Sequence, residues 1–420
     1  MQKEYYLMLE DTPVLYMHFD DMEVKLFDKN LLPFSIRNKI LEPNSDNIKE
    51  YYKQNSKNLE LIKDFAASRV LSLSRENAKK ICTALSLSQD NSTQNRAEIC
   101  FSCKGVSLTD SYWFKEPDSN EKWADVDLRH KHLAEIIDIA LAGEQPTVTA
   151  NPDCPELTTK GLFQKCWIRE NDDVYLLKSD RTKNFINTKA EILASDILDC
   201  TNIPHVKYEE TRYKDLTVCK CKNFVPEHIS FVEAHDVMEC CKDNHVDYAS
   251  VMIKTFGKDF ANIAVIDYIL QNTDRHDQNY GFLMDNKSGK LVCVAPLFDH
   301  NLALIADFQE KDVSDTLSQM LGSKTTIKEC YDKFAPYAKI EFNSKKWLET
   351  KQKYPEYKNI LKRVEERIAE TKCIRKIMIP DQSLDFDDSP THEQVRAGFL
   401  RQVPGGRCTL EDGHAPLTLF

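Results

Sequence analysis

The chain has 420 residues, 41% of them hydrophobic and 10% aromatic, enough for a sizeable core and more than one domain. Its formal net charge of −11 repels polyanions, which excludes general nucleic-acid binding while leaving room for a local basic pocket. No apolar run reaches the ~18 residues of a membrane span, and Met1-Gln2-Lys3-Glu4 lacks the basic and apolar regions of a signal peptide, so a soluble, cytoplasmic protein without a membrane partner is expected.

The 14 cysteines then read as thiols rather than a disulfide framework. Cys100-Phe101-Ser102-Cys103 has zinc-knuckle spacing, but no second pair follows, and small buried residues are the plainer reading. Only 11 glycines are present, and none builds Gly-x-Gly-x-x-Gly or Gly-x-x-x-x-Gly-Lys-Ser/Thr. That argues against a Rossmann dinucleotide site, a Walker-type ATPase and a conventional protein kinase.

In chain order, Tyr5 to Phe34 alternates apolar and polar residues in short runs broken by Asp11-Thr12-Pro13, Asp20-Asp21 and Asp28-Lys29-Asn30, which predicts small antiparallel strands. Asn47 to Leu87 turns helical, with Ala78, Ile81, Cys82 and Leu85 on one face. It lacks the basic recognition helix of a DNA-reading helix-turn-helix. Trp113 and Trp123 read as packing anchors. A short helix over Leu133 to Leu141 ends at Gly143-Glu144-Gln145-Pro146, which draws a domain boundary near residue 145.

Pro155 to Ile168 reads as a turn between two strands whose Thr159, Gly161 and Lys165 suit phosphate binding, although a plain surface hairpin would look the same. The strand Val174 to Lys178 ends in a lysine able to grip nucleotide phosphates. Glu191, on a helix over Thr188 to Asp199, is either its ion-pair partner or a solvated glutamate. Leu216 to Phe224 reads as a strand entering a hinge, which brings Lys222 and Phe224 near an adenine.

The helix Lys258 to Asn272 is apolar almost all round and gives the loop at its end a rigid support. That loop, Asn272-Thr273-Asp274-Arg275-His276-Asp277-Gln278-Asn279, is followed by a hairpin, Gly281 to Met284 and Leu291 to Ala295, and then Pro296-Leu297-Phe298-Asp299. Asp274-x-x-x-x-Asn279 has the Asp-to-Asn interval of a kinase catalytic loop. A phosphoryl-transfer site needs one carboxylate for the acceptor's proton and oxygen ligands for Mg²⁺; Asp274, Asn279 and Asp299 supply them, with His276 supporting. Charged helices follow over Ser344 to Tyr354 and Tyr357 to Ile377, and the polar stretch 381–420 reads as a mobile tail.

Asn272-x-Asp274-x-His276-x-x-Asn279-x-Gly281-Phe282, followed by Ala295-Pro296-Leu297-Phe298-Asp299, resembles the signature of the HipA-like kinases, bacterial Ser/Thr protein kinases of atypical kinase fold. The resemblance covers roughly residues 255–305 and weakens back to about 155. It implies Asp274 as catalytic base, Asn279 and Asp299 as metal ligands, and ATP and Mg²⁺ as cofactors. The implied fold is α+β and bilobal, with a strand-rich nucleotide lobe (146–225) and a helical lobe (226–380) behind a separate α+β domain (1–145). A protein substrate and, for a toxin, an antitoxin partner belong to the same implication. A nucleotide-binding regulator without turnover and a small-molecule kinase remain open beside it.

Overall fold

The alternating start of the chain forms β1 (Glu4–Leu9), β2 (Thr12–His18) and β3 (Glu23–Leu26), joined by β4 (Tyr112–Lys115) in an antiparallel sheet of order β3-β2-β1-β4. The computed structural model describes residues 4–43, 46–131, 133, 136–146, 154–159, 163–180, 182–311, 313–321 and 325–377. Leu7 and Leu15 are cross-strand partners, both buried. The helical pattern after Asn47 divides into Ile48–Arg69, whose first turn is capped by the Asn47 side chain, and Ala78–Ala84. Leu59, Ile62 and Phe65 of the first helix share one core with Leu7, Leu15 and Phe114, and that core runs on into the helical lobe at Ile263, Ile266 and Phe282.

A second antiparallel sheet follows: β5 (Lys165–Glu170), β6 (Asp173–Ser179), β7 (Glu209–Tyr213) and β8 (Leu216–Lys222), in order β5-β6-β8-β7. The stretch ahead of β5 departs from the turn between two strands expected there, because Pro155–Thr158 is a 3₁₀ turn. Pro155 sets the φ of its first residue, and the Thr159 hydroxyl donates back to the Pro155 carbonyl at 2.7 Å. One face of the sheet, with Cys166, Leu177 and Val218, packs on Leu71, Ile81, Ile139, Leu141 and Leu157. Residues on both sides of 145 therefore share a core.

The helical lobe opens with β9 (Ile229–Glu233) and the helices Ala234–Asp243, Tyr248–Phe256 and Lys258–Leu270. Every residue from Phe260 to Leu270 is buried, the consequence of a sequence apolar on almost all faces, with Asn262 and Asp267 the polar exceptions. The hairpin β10 (Gly281–Asp285) and β11 (Lys290–Val294) completes a sheet of order β11-β10-β9. Gly281 lies in close contact with β9: a Cβ there would sit 2.1 Å from the Val232 carbonyl oxygen. Near the end, the helix Lys358–Glu370 stops earlier than its charge pattern suggests, and Ile374–Ile377 pairs in parallel with Ile340–Asn343. The expected tail lies outside the described residues. Among the described residues the cysteines are free thiols, with Cys100 and Cys103 buried, and no helix is long and apolar enough to cross a membrane.

Candidate active site

Register across the second sheet builds the cationic side of the site. Lys165 pairs with Lys178 across β5 and β6, and Lys178 with Cys219 across β6 and β8, so all three side chains share one face. Lys178 Nζ lies 2.7 Å from Glu191 Oε1 and 2.9 Å from Asp299 Oδ1, and 5.0 Å from the centre of the Tyr208 ring. Burial opposes charge on Lys178, but Asp299 and Glu191 outweigh it and hold the ammonium well above its ordinary pKa. Among the described residues Lys165 has no direct carboxylate contact of that kind, and burial together with the Lys178 and Arg75 charges outweighs the attraction of Asp299, pushing it down to about 8. Glu191, 1% exposed, is pushed up by burial against the pull of Lys178. Burial would raise Asp299 too, but Lys178 and Lys165 prevail and its carboxylate stays well below the usual range.

The anionic side grows from the end of the buried helix Lys258–Leu270. Gln271 takes a left-handed conformation, φ +50°, and terminates the helix. In the loop that follows, the Asp274 N–H donates to Asn272 Oδ1 at 3.1 Å. Asn279 Nδ2 donates to the Asp274 carbonyl at 2.8 Å and to its carboxylate at 3.2 Å. Those two acceptors orient the amide and turn its Oδ1 away from Asp274. Burial, and the nearby charge of Asp299, push the Asp274 carboxyl up, with His276 and Asn279 acting in the opposite sense. The β10–β11 hairpin then returns the chain so that Asp299, itself at φ +58°, faces Lys178.

Arg275, which sequence reasoning left without a role, is the buried hub of this half. Its Nε donates to Asp267 at 3.1 Å, its Nη1 to the carbonyls of Asn279 and Phe298, and its Nη2 faces His300 Nε2 at 3.1 Å. One guanidinium thus ties the loop to the segment carrying Asp299. Burial and the Arg275 charge keep His300 well below its ordinary pKa, so it accepts that bond as a neutral ring. A sequence signal was available: Asp267 is a carboxylate inside an otherwise apolar helix, and such a group requires a buried partner. Tyr208 was also missed. Its hydroxyl accepts the Asp299 N–H at 3.2 Å.

The other sequence-selected residues are placed as follows. Lys222 has the opposite strand parity to Cys219, so its side chain leaves on the far face of the sheet and pairs with Asp173 at 2.9 Å. Phe224 stacks on Phe298, ring centres 5.3 Å apart, beside Phe231. Thr159 Oγ1 donates to Pro155 and accepts from Trp167 Nε1 at 2.9 Å, so its hydroxyl is engaged inside the protein. His276 Nδ1 accepts the Gln278 N–H at 3.2 Å and braces the loop. Gly161 lies outside the described residues.

The residues suit a magnesium ion held jointly with nucleotide phosphates. Among the described residues no three His, Cys, Asp or Glu side chains converge on one metal position. Asp299 and the Asn279 amide oxygen are hard oxygen donors of the kind Mg²⁺ takes, one or two from protein and the rest from phosphate and water.

Residues 82–317, more than half of the chain and including all of these groups, match the model of the phosphatidylinositol 3- and 4-kinase family. The chain belongs to that family. Its α+β architecture is a bilobal kinase-like fold, with β5–β8 as the strand-rich lobe. Among solved structures it is similar to the Helicobacter pylori proinflammatory kinase CtkA, at 16% identity and a TM-score of 0.37, covering 51% of this chain and 90% of that one. It is also similar to a chain of the Shewanella oneidensis MR-1 complex of the toxin–antitoxin system HipA, HipB and its operator DNA, at 11% identity and a TM-score of 0.41, covering 81% and 85%. No curated protein matches the chain.

Proposed function

We propose that this family member transfers the γ-phosphoryl group of ATP, with Mg²⁺, to a Ser or Thr hydroxyl of a protein, as the HipA-like kinases it resembles do. One observation carries the reading: Lys178 bridges Glu191 and Asp299 while Asp274, oriented by Asn279, stands within electrostatic reach of Asp299. Cations, metal ligands and a base with a raised pKa are thereby gathered at one place.

In this reading Lys165 and Lys178 hold the phosphates, and Asn279 Oδ1 and Asp299 hold the ion. When bound, Mg²⁺ neutralises charge on the phosphate oxygens. Asp274 takes the acceptor hydroxyl's proton as its oxygen bonds to the γ-phosphorus and the bond to the β–γ bridging oxygen breaks, releasing ADP. Phe224 lies against adenine with its ring fixed by Phe298. Residues 146–225 are the nucleotide lobe and 226–380 the catalytic lobe, with 1–145 packed on both. An antitoxin partner belongs to this proposal only if the protein acts as a toxin.

A lipid acceptor is the second reading, favoured by the family match. The segment after Asp299 speaks against a polyanionic headgroup, since it sets Glu310, Asp312 and Asp315 against the single Lys311. Incubation of γ-labelled ATP with lysate protein and, separately, with phosphoinositide vesicles tests both, wild type against Asp274→Ala. Label on protein that disappears with Asp274→Ala is the expected result. Label on lipid alone would transfer the proposal to the second reading, and nucleotide binding without transfer would leave a regulator.

A further inference from the structure

We infer that Arg75, which lies outside the family-matched stretch, is a positioning residue of the nucleotide site and acts through Lys165; this rests on the kinase reading above. Arg75 sits in the turn before the helix Ala78–Ala84 and is 3% exposed. Its Nη1 donates to the carbonyls of Glu156 at 2.9 Å and Thr159 at 3.0 Å, and its Nη2 donates to the Lys165 carbonyl at 2.8 Å. A single guanidinium therefore holds the 3₁₀ turn and the first residue of β5 in fixed relation.

A buried guanidinium ordinarily meets a carboxylate. Here the adjacent Glu156 carboxylate is engaged elsewhere, accepting from the Trp167 N–H at 2.9 Å and from the thiols of Cys154 and Cys166 at 2.7 and 3.2 Å. The Arg75 fork is given to three backbone carbonyls instead, a geometry that the single ammonium of lysine does not reproduce. β5 is the edge strand of its sheet, so Lys165 has a neighbouring strand on one side only. Arg75 anchors its backbone while its ammonium faces the row containing Lys178 and Asp299. Two further bonds tie the same stretch to the segment before residue 145: Leu71 N–H to the Leu157 carbonyl at 2.7 Å and Thr158 Oγ1 to the Val106 carbonyl at 2.8 Å. The N-terminal region thus sets where a phosphate-binding cation stands.

The test is a double-mutant cycle on Mg²⁺-ATP affinity with Arg75→Met and Lys165→Met, adenosine affinity being measured in parallel. Arg75→Met is expected to weaken ATP binding by about tenfold or more in the wild-type background, to add little in the Lys165→Met background, and to leave adenosine binding unchanged. Equal effects of Arg75→Met in both backgrounds, or equal loss of ATP and adenosine, would show a merely structural arginine and overturn the inference. Unchanged ATP affinity would overturn it too. Should Arg75→Met fail to fold, Arg75→Lys is read by the same criteria with a smaller loss. Wild-type protein that binds no Mg²⁺-ATP would instead defeat the kinase reading on which all of this stands.

Discussion

Lys165 and Lys178 face one another across the β5–β6 ladder and share Asp299 as a counter-charge. Among the described residues Lys178 has direct contacts to two carboxylates, which outweigh the burial of its charge. For Lys165, burial and the neighbouring ammonium bring the pKa from 10.5 to about 8, so the folded protein binds fewer protons than the unfolded chain between those values. The Lys165 contribution to stability should therefore rise as pH climbs from about 8 to about 10.5, and charged Lys165 is a net cost at pH 7. Lys165→Met is expected to stabilise the fold at pH 7 by on the order of 2–3 kcal/mol while weakening ATP binding, the stability gain shrinking by pH 10. Thermal melts at both pH values beside an ATP titration check this, and a variant less stable than wild type at pH 7 would contradict it.

Asp274 and Asp299 should separate in their effects. Asp274→Ala is expected to keep nucleotide affinity and lower transfer by about 10²–10⁴-fold, whereas Asp299→Ala loses both. Because burial raises the Asp274 pKa above that of a free aspartate, the transfer rate should climb with pH through that raised value, the base being active only when ionised. Equilibrium binding and single-turnover rates over a pH series read the two quantities apart. An inactive Asp277→Ala with an active Asp274→Ala would mean the wrong carboxylate.

Glu191 is buried, and its contact with Lys178 offsets part of its desolvation. Glu191→Ala leaves Lys178 with Asp299 alone and should cost about 1–3 kcal/mol, with a higher KM for ATP as the ammonium loses one of its two supports. Glu191→Gln keeps an acceptor for Lys178 and should be milder on both counts. Denaturant midpoints and steady-state kinetics of the two variants decide this, and the reverse order would refute the ion-pair argument.

Gly281 stands two residues after Asn279, at a point where β9 leaves no room for a side chain. A Cβ would stand 2.1 Å from the Val232 carbonyl oxygen and 2.8 Å from the Phe231 ring. Gly281→Ala should cost at least about 2 kcal/mol and lower activity as well, because Phe231 packs on Phe298, next to Asp299. The denaturant midpoint and the transfer rate measure the two effects; wild-type values for both would show that β9 yields freely.

What the chain alone determined is what short-range chemistry can write. The interval from Asp274 to Asn279, the buried helix before it and the turn-forming run Asp285 to Gly289 are local, and local steric and hydrogen-bonding rules suffice to read a loop and a hairpin from them. A lysine at the end of the β6 pattern was legible for the same reason. Only the tertiary structure decided which lysines share a face, because strand register depends on partners distant in sequence: it puts Lys165 beside Lys178 and sends Lys222 to the other side. It alone turned the Thr159 hydroxyl inward, drew Arg75 from the N-terminal region under Lys165, and buried Arg275 between Asp267 and the two segments it joins. Each of these satisfies a polar group removed from water, and which groups lose water is set by the packing of the whole core rather than by the residues beside them.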